Sequence, residues 1–182
     1  MPLSSNPSGS PRAPNNRELL VLFFASFAAL TALGLASLAT QTVLLFPPLG
    51  ASAFLVFFTP RAPASSPRNA LMAYAIGTAC GFFALACTGL WAAPSVLAIG
   101  VDFPRVVAAS LSIALTSVLM VRLRAVHPPA GATTLVVSLG LVTKASLVGM
   151  LFAGTALLLA VAFAVHRALG TPYPFWSAPE GR

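Results

Sequence analysis

Three side chains able to hold a small ion stand beside proline pairs in this 182-residue chain. Ser52 closes the stretch Phe46-Pro47-Pro48-Leu49-Gly50-Ala51-Ser52. His127 opens and Thr133 closes His127-Pro128-Pro129-Ala130-Gly131-Ala132-Thr133, with its proline pair 81 residues after the first. A hydroxyl gives one O–H donor, and an imidazole donates from one nitrogen and accepts at the other. Such groups can hydrogen-bond a small anion, and the imidazole can also titrate near neutral pH and pass a proton. Enzyme chemistry has less to work with. The apolar segments contain no carboxylate and no Cys/His cluster, and His127 has no nucleophile or acid nearby in sequence. Neither a metal nor a cofactor is expected.

The elements that position these groups follow from composition. The chain is 58% hydrophobic and 7% charged, with a mean hydropathy of +0.91. A soluble domain carries about 25% charged residues, so most of this surface must face lipid. Full-length spans are expected over 19–40, 70–91, 105–123 and 145–169, each long enough for a bilayer core of about 30 Å. Each proline pair instead precedes a short apolar run, 49–59 and 130–143, about half that length. The third segments also echo each other, Gly77-Thr78-Ala79 against Gly154-Thr155-Ala156. The expected fold is an all-α membrane protein of two inverted three-segment repeats. Each repeat is a long helix, a Pro-Pro turn with a half-length helix, and a second long helix. Residues 1–18 read as a disordered cytoplasmic tail rather than a cleaved leader, 19–91 as the first repeat, 92–104 as a connecting loop, 105–169 as the second repeat and 170–182 as a C-terminal tail.

Net charge is +7, but the basic residues sit at segment ends and do not interleave with aromatics, which argues against nucleic acid. Their distribution decides between topologies. If each short segment crosses with its lead-in, Arg12, Arg17, Arg61, Arg68, Arg122, Arg124, Arg167 and Arg182 lie inside, against Arg105 and Lys144 outside. If each re-enters, the split is five to five. The positive-inside rule favours six crossings with both termini cytoplasmic, and three crossings per half make the repeats inverted.

Proline fixes φ and lacks an N–H, so a pair should stop one helix and start the next. The expected object is a half-helix whose N-terminus, with unpaired N–H groups and a partial positive charge, lies near the membrane midplane. Two of them facing each other make a site for a small anion without a fixed cation. The candidate residues are Pro47, Pro48, Gly50, Ala51, Ser52, His127, Pro128, Pro129, Gly131, Ala132 and Thr133. The competing reading is a tight turn between packed helices, with a neutral His127 tying it to a backbone carbonyl. Phe46, its counterpart, is a constriction or a packing residue, and Arg122 and Arg124 are an inner-mouth attractant or a topology anchor. Gly77 and Gly81 read as a helix-packing pair, within the chain or across a homodimer. His166 reads as interfacial, Asp102 and Arg105 as a loop pair capping the fourth segment, and Cys80 and Cys87 as buried packing residues too far apart for a disulfide.

The stretch Ala125-Val126-His127-Pro128-Pro129-Ala130-Gly131-Ala132-Thr133 resembles the signature of the HPP family of bacterial and plastid membrane proteins. The upstream Phe-Pro-Pro-x-Gly-Ala-Ser resembles that family's first motif, and the likeness covers roughly residues 18–170. The family is usually described with four spanning helices, and members have been associated with nitrite transport. Some carry a regulatory nucleotide-binding pair of domains, for which the residues after 170 are too few. The resemblance implies a small-anion carrier in a bacterial cytoplasmic membrane, nitrite first. A passive anion channel and a non-transporting membrane scaffold are the rival expectations.

Overall fold

Helix boundaries follow the caps and prolines of the sequence in the structure, a computed structural model that describes residues 15–178. Helix α1, Asn16–Thr40, starts earlier than expected. The Asn15 side chain accepts from the Glu18 N–H at 2.9 Å, and the Glu18 carboxylate accepts from the Asn15 N–H at 3.0 Å. This reciprocal cap draws the end of the expected 1–18 tail into the helix. Residues 1–14 and 179–182, the rest of the two tails, lie outside the described residues. Helix α2, Pro47–Phe58, begins on the first proline pair. Ser66 caps α3, Pro67–Cys87, which opens with a proline. The connecting loop holds a short α4, Val96–Ile99, that the sequence did not announce. Asp102 caps α5, Phe103–Arg122, and α6, Pro129–Ser138, begins on the second proline pair. Helix α7 is Ala145–Ala168.

The described regular elements are all helical. Helices α1, α3, α5 and α7, with 25, 21, 20 and 24 residues, are long and apolar enough to cross a membrane. With 12 and 10 residues, α2 and α6 cover roughly 18 and 15 Å, about half a hydrocarbon core.

Two glycine contacts seat the short helices. A Cβ on Gly77 of α3 would lie 2.7 Å from the Ala130 carbonyl oxygen of α6, and one on Gly81 would lie 2.6 Å from Val137. The Gly77/Gly81 pair therefore packs within the chain, against α6, where only glycine allows so close an approach. A Cβ on Gly154 of α7 would lie 2.7 Å from the Leu44 carbonyl oxygen and 2.9 Å from Leu49 of α2. Each half's third helix thus holds the other half's short helix, through corresponding residues of the two repeated stretches.

Hydrogen bonds sort the helix ends. At one end, the Arg68 guanidinium donates to the Arg124 carbonyl, the Arg68 N–H to the Trp176 carbonyl and the Tyr173 hydroxyl to the Ser65 carbonyl. The start of α3, the ends of α5 and α7 and the 59–66 loop therefore meet there. Burial pushes the Tyr173 phenol well above its usual pKa. His166 joins this end through its Nε2–H, which donates to the Val56 carbonyl at 3.2 Å. It is buried within the protein, where the returning C-terminal segment stacks Tyr173 over it and Phe57 of α2 packs beside it.

Arg105 organises the opposite end. Asp102 caps α5 by accepting the Arg105 N–H at 2.9 Å, as expected of a capping residue. The Arg105 guanidinium is not a loop charge, however. It is fully buried and donates to the Ser138, Ala93 and Pro94 carbonyls at 3.0, 3.3 and 2.6 Å. Its positive charge sits at the negative end of α6, which is the favourable arrangement. Cys80 is buried, whereas Cys87 is exposed at the end of α3.

Candidate functional site between the short helices

Ser52 lies in the middle of α2 and turns into the protein. Its Oγ is 2.7 Å from the Tyr74 hydroxyl of α3 and 2.8 Å from His127 Nε2, in the lead-in to α6. His127 Nδ1 lies 2.6 Å from the Ala64 carbonyl oxygen. A carbonyl only accepts, so Nδ1 carries the proton. In the neutral ring Nε2 then accepts from the Ser52 O–H, and the Ser52 oxygen accepts from the Tyr74 O–H. The cluster is a directed chain, Tyr74 to Ser52 to His127 to Ala64, that ties α2, α3 and the α6 lead-in together. The rings of Tyr74 and His127 also lie 5.6 Å apart.

The backbone at the two helix starts behaves differently from the expectation of unpaired donors. Prolines 47, 48, 128 and 129 have no N–H to offer. The first N–H groups that follow are engaged: Leu49 donates to the Phe46 carbonyl at 2.9 Å, Ala130 to His127 at 3.0 Å and Gly131 to Pro128 at 2.9 Å. The positive dipole end remains, but these three N–H groups are already taken, which puts the weight of any ligand contact on side chains.

The candidate residues divide between two faces. Pro48, Ser52, His127, Pro129 and Thr133 are buried. Pro47, Ala51, Pro128 and Ala132 are exposed on this chain's outer side, and Gly50 and Gly131 are half-buried. The inner residues lie in the region where α2, α3 and α6 meet; the outer ones continue into the exposed Phe54 and Phe58 of α2. Phe46 is buried among the core residues. Tyr74 escaped the sequence reading, although a tyrosine in the body of an apolar span needs a partner for its hydroxyl and so signals one. Thr78, one turn further along α3, escaped it too. The Oγ1 atoms of Thr78 and Thr133 are buried and have no hydrogen-bond partner. A separate open groove of about 640 Å³ runs along the end of α1 and the lead-in to α2, past Thr31, Ser37, Gln41 and Thr42.

Comparison with known proteins gives the chain its place. A transmembrane protein of Dictyostelium discoideum is 30% identical over 134 residues, which cover 71% of this chain and 44% of that protein. The chain thus spans less than half the length of that relative. No solved structure matches it. The HPP transmembrane-region family matches residues 11–174, which include both proline-pair stretches and every helix of the bundle. With that match over almost the whole chain, and four helices fit to cross a membrane, this is a transmembrane protein of the HPP family.

Proposed function

We propose that the chain carries a small monovalent anion across the membrane, with nitrite the first candidate. The observation that carries the reading is the 2.8 Å contact between Ser52 and His127. It joins the two proline-started stretches, 75 residues apart, through groups that can rearrange their hydrogen bonds around an ion. Polar groups at that depth in a membrane protein are functional by default, and paired interrupted helices are where transporters bind their cargo. Nitrite itself rests on the family resemblance alone.

The inverted-repeat reading has support of its own. Helix α2 ends beside His166, at the end that carries Arg68 and Arg124, whereas α6 ends at Arg105 on the opposite side. The reciprocal contacts of Gly77 and Gly154 agree with a pseudo-two-fold relation. On that reading the lead-ins 41–46 and 123–128 complete two further crossings. The end with Arg61, Arg68, Arg122, Arg124 and Arg167 is then cytoplasmic, in a bacterial inner membrane.

The test is nitrite uptake into liposomes holding the purified protein, at alkaline pH so that leakage of neutral nitrous acid is small. Saturable uptake is expected, lowered in Ser52→Ala. It should survive in Gly50→Ala, because a Cβ at Gly50 meets nothing within 4 Å and the residue borders the outer face. Folded protein that moves nitrite, nitrate, formate and chloride no faster than empty liposomes refutes the carrier and favours a scaffold.

A further inference from the structure

We infer that Thr78 and Thr133 are the pair of hydroxyls that binds the anion, at the positive end of α6. This rests on the carrier reading above and adds to it the donors and a residue outside the two proline-pair stretches. Both side chains are more than nine-tenths buried, at 7% and 1% exposure. Neither Oγ1 has a partner within the protein.

Four other threonines in or at the ends of these helices keep their hydroxyls engaged. Thr40, Thr59, Thr88 and Thr155 each donate to the carbonyl four residues back, at 2.7 to 3.0 Å. That bond is the usual resting place of a helical hydroxyl. The repeat sharpens the contrast. Thr155, the counterpart of Thr78, bonds the Leu151 carbonyl at 2.8 Å. Ser52, the counterpart of Thr133, is held by Tyr74 and His127. In each corresponding pair one hydroxyl is engaged and one is free.

Helical geometry puts the two free hydroxyls on one side. On α6, Ala130 faces α3, and the Thr134 and Ser138 hydroxyls bond Thr116 and Ser112 of α5. At about 100° per residue, Thr133 lies on the flank of α6 turned away from α5. On α3, Gly77 faces α6, and Tyr74 reaches Ser52 of α2. Thr78 is one turn beyond Tyr74 on that same flank. Both hydroxyls therefore point to the α2 side of the α3–α6 contact, next to the first turn of α6. Hydroxyl hydrogens there meet a positive dipole end, beside the Ala130 and Gly131 N–H groups already engaged within the turn. An oxyanion of a single negative charge fits that chemistry, since hydrogen bonds to a charged acceptor are the strong ones, and the helix end favours an anion over a cation.

Thr→Val removes the hydroxyl and keeps the shape. In the liposome assay Thr78→Val and Thr133→Val should each raise the half-saturating nitrite concentration about tenfold. Thr78→Ser should restore wild-type uptake, and Thr155→Val should leave it unchanged. A second readout does not depend on flux: nitrite should raise the melting temperature of the detergent-purified wild type, and the valine variants should need about tenfold more. Wild-type uptake and wild-type stabilisation in Thr78→Val overturn this site and leave the carrier standing. Equal losses in Thr155→Val and Thr78→Val overturn it as well. A wild-type protein that neither moves nor is stabilised by any of the anions overturns carrier and site together. If Thr78→Val fails to fold, Thr133→Val and Thr78→Ser give the same decision.

Discussion

Replacing Gly77 by alanine tests whether the fit of α6 on α3 is as tight as the structure shows. The new Cβ would stand 2.7 Å from the Ala130 carbonyl oxygen, where ordinary contact begins at 3.4 Å. The obstacle is backbone in the first turn of α6, not a flexible side-chain end, so one helix must move by about 0.7 Å relative to the other. Overpacking of this kind costs about 1–3 kcal/mol, and loss of a helical glycine returns about 0.5–1 kcal/mol. The net expectation is destabilisation centred on about 1 kcal/mol, within a span of about 0–2.5, or a melting temperature lower by roughly 2–4 °C at that centre for a chain of this size. Gly154→Ala should behave alike, since its Cβ would also meet a carbonyl oxygen at 2.7 Å. Gly149→Ala is the control: it lies in the same helix with nothing within 4 Å, so only the propensity gain of about 0.5–1 kcal/mol applies. Melting of the three variants in detergent, followed by the fraction remaining monodisperse, gives the comparison. A Gly77→Ala protein that melts at or above wild type refutes the tight-contact reasoning.

Other substitutions read other parts of the bundle. Tyr74→Phe removes one end of a hydrogen-bond chain and should cost about 1 kcal/mol, whereas Ser52→Ala strands both Tyr74 and His127 and should cost about 2–3 kcal/mol. The double variant should cost less than the sum of the two, measured as melting shifts in a double-mutant cycle. Arg105→Lys should destabilise by more than 2 kcal/mol, because an ammonium cannot serve three carbonyls set around a planar fork. Retention of wild-type melting in that variant contradicts the clamp. For topology, Arg61→Cys and Lys144→Cys, in a background with both native cysteines replaced by serine, should react with an impermeant thiol reagent from opposite sides. Reaction from the same side points to re-entrant short segments and four crossings.

Much of this architecture was written in local signals. A proline pair leaves a helix only one place to begin, so the starts of α2 and α6 followed directly from Pro47 and Pro129. Hydropathy marked the four long helices because a span must be apolar along its whole length. What escaped depended on contacts between distant residues. Arg105 reads as a loop charge until the carbonyls of Ala93, Pro94 and Ser138 close around it. Burial of His166 likewise depends on the chain after α7 folding back to stack Tyr173 on it. The unpaired backbone donors failed for a local reason that could have been seen: the prolines that start a helix also delete the N–H groups that a helix start would offer.

That deletion changes what kind of binding site the duplicated stretch can make. A glycine-rich helix start binds anions through its backbone, and its donors are then independent of side-chain identity. On the proposed carrier reading, the prolines hold the two helix starts in place and leave the hydrogen bonds to an anion to side chains, Thr78 and Thr133 first. Such a site keeps the dipole of α6, reinforced by Arg105 at the far end of the same helix. It gains donors that can rotate. A hydroxyl turns its proton toward an arriving ion and back to a neighbour when the ion leaves, without moving the helix that carries it. On that reading the two stretches divide the work: Ser52 and His127 tie α2 to the lead-in of α6, while Thr133, at the corresponding place in the second stretch, has an unpartnered hydroxyl and is the proposed ligand.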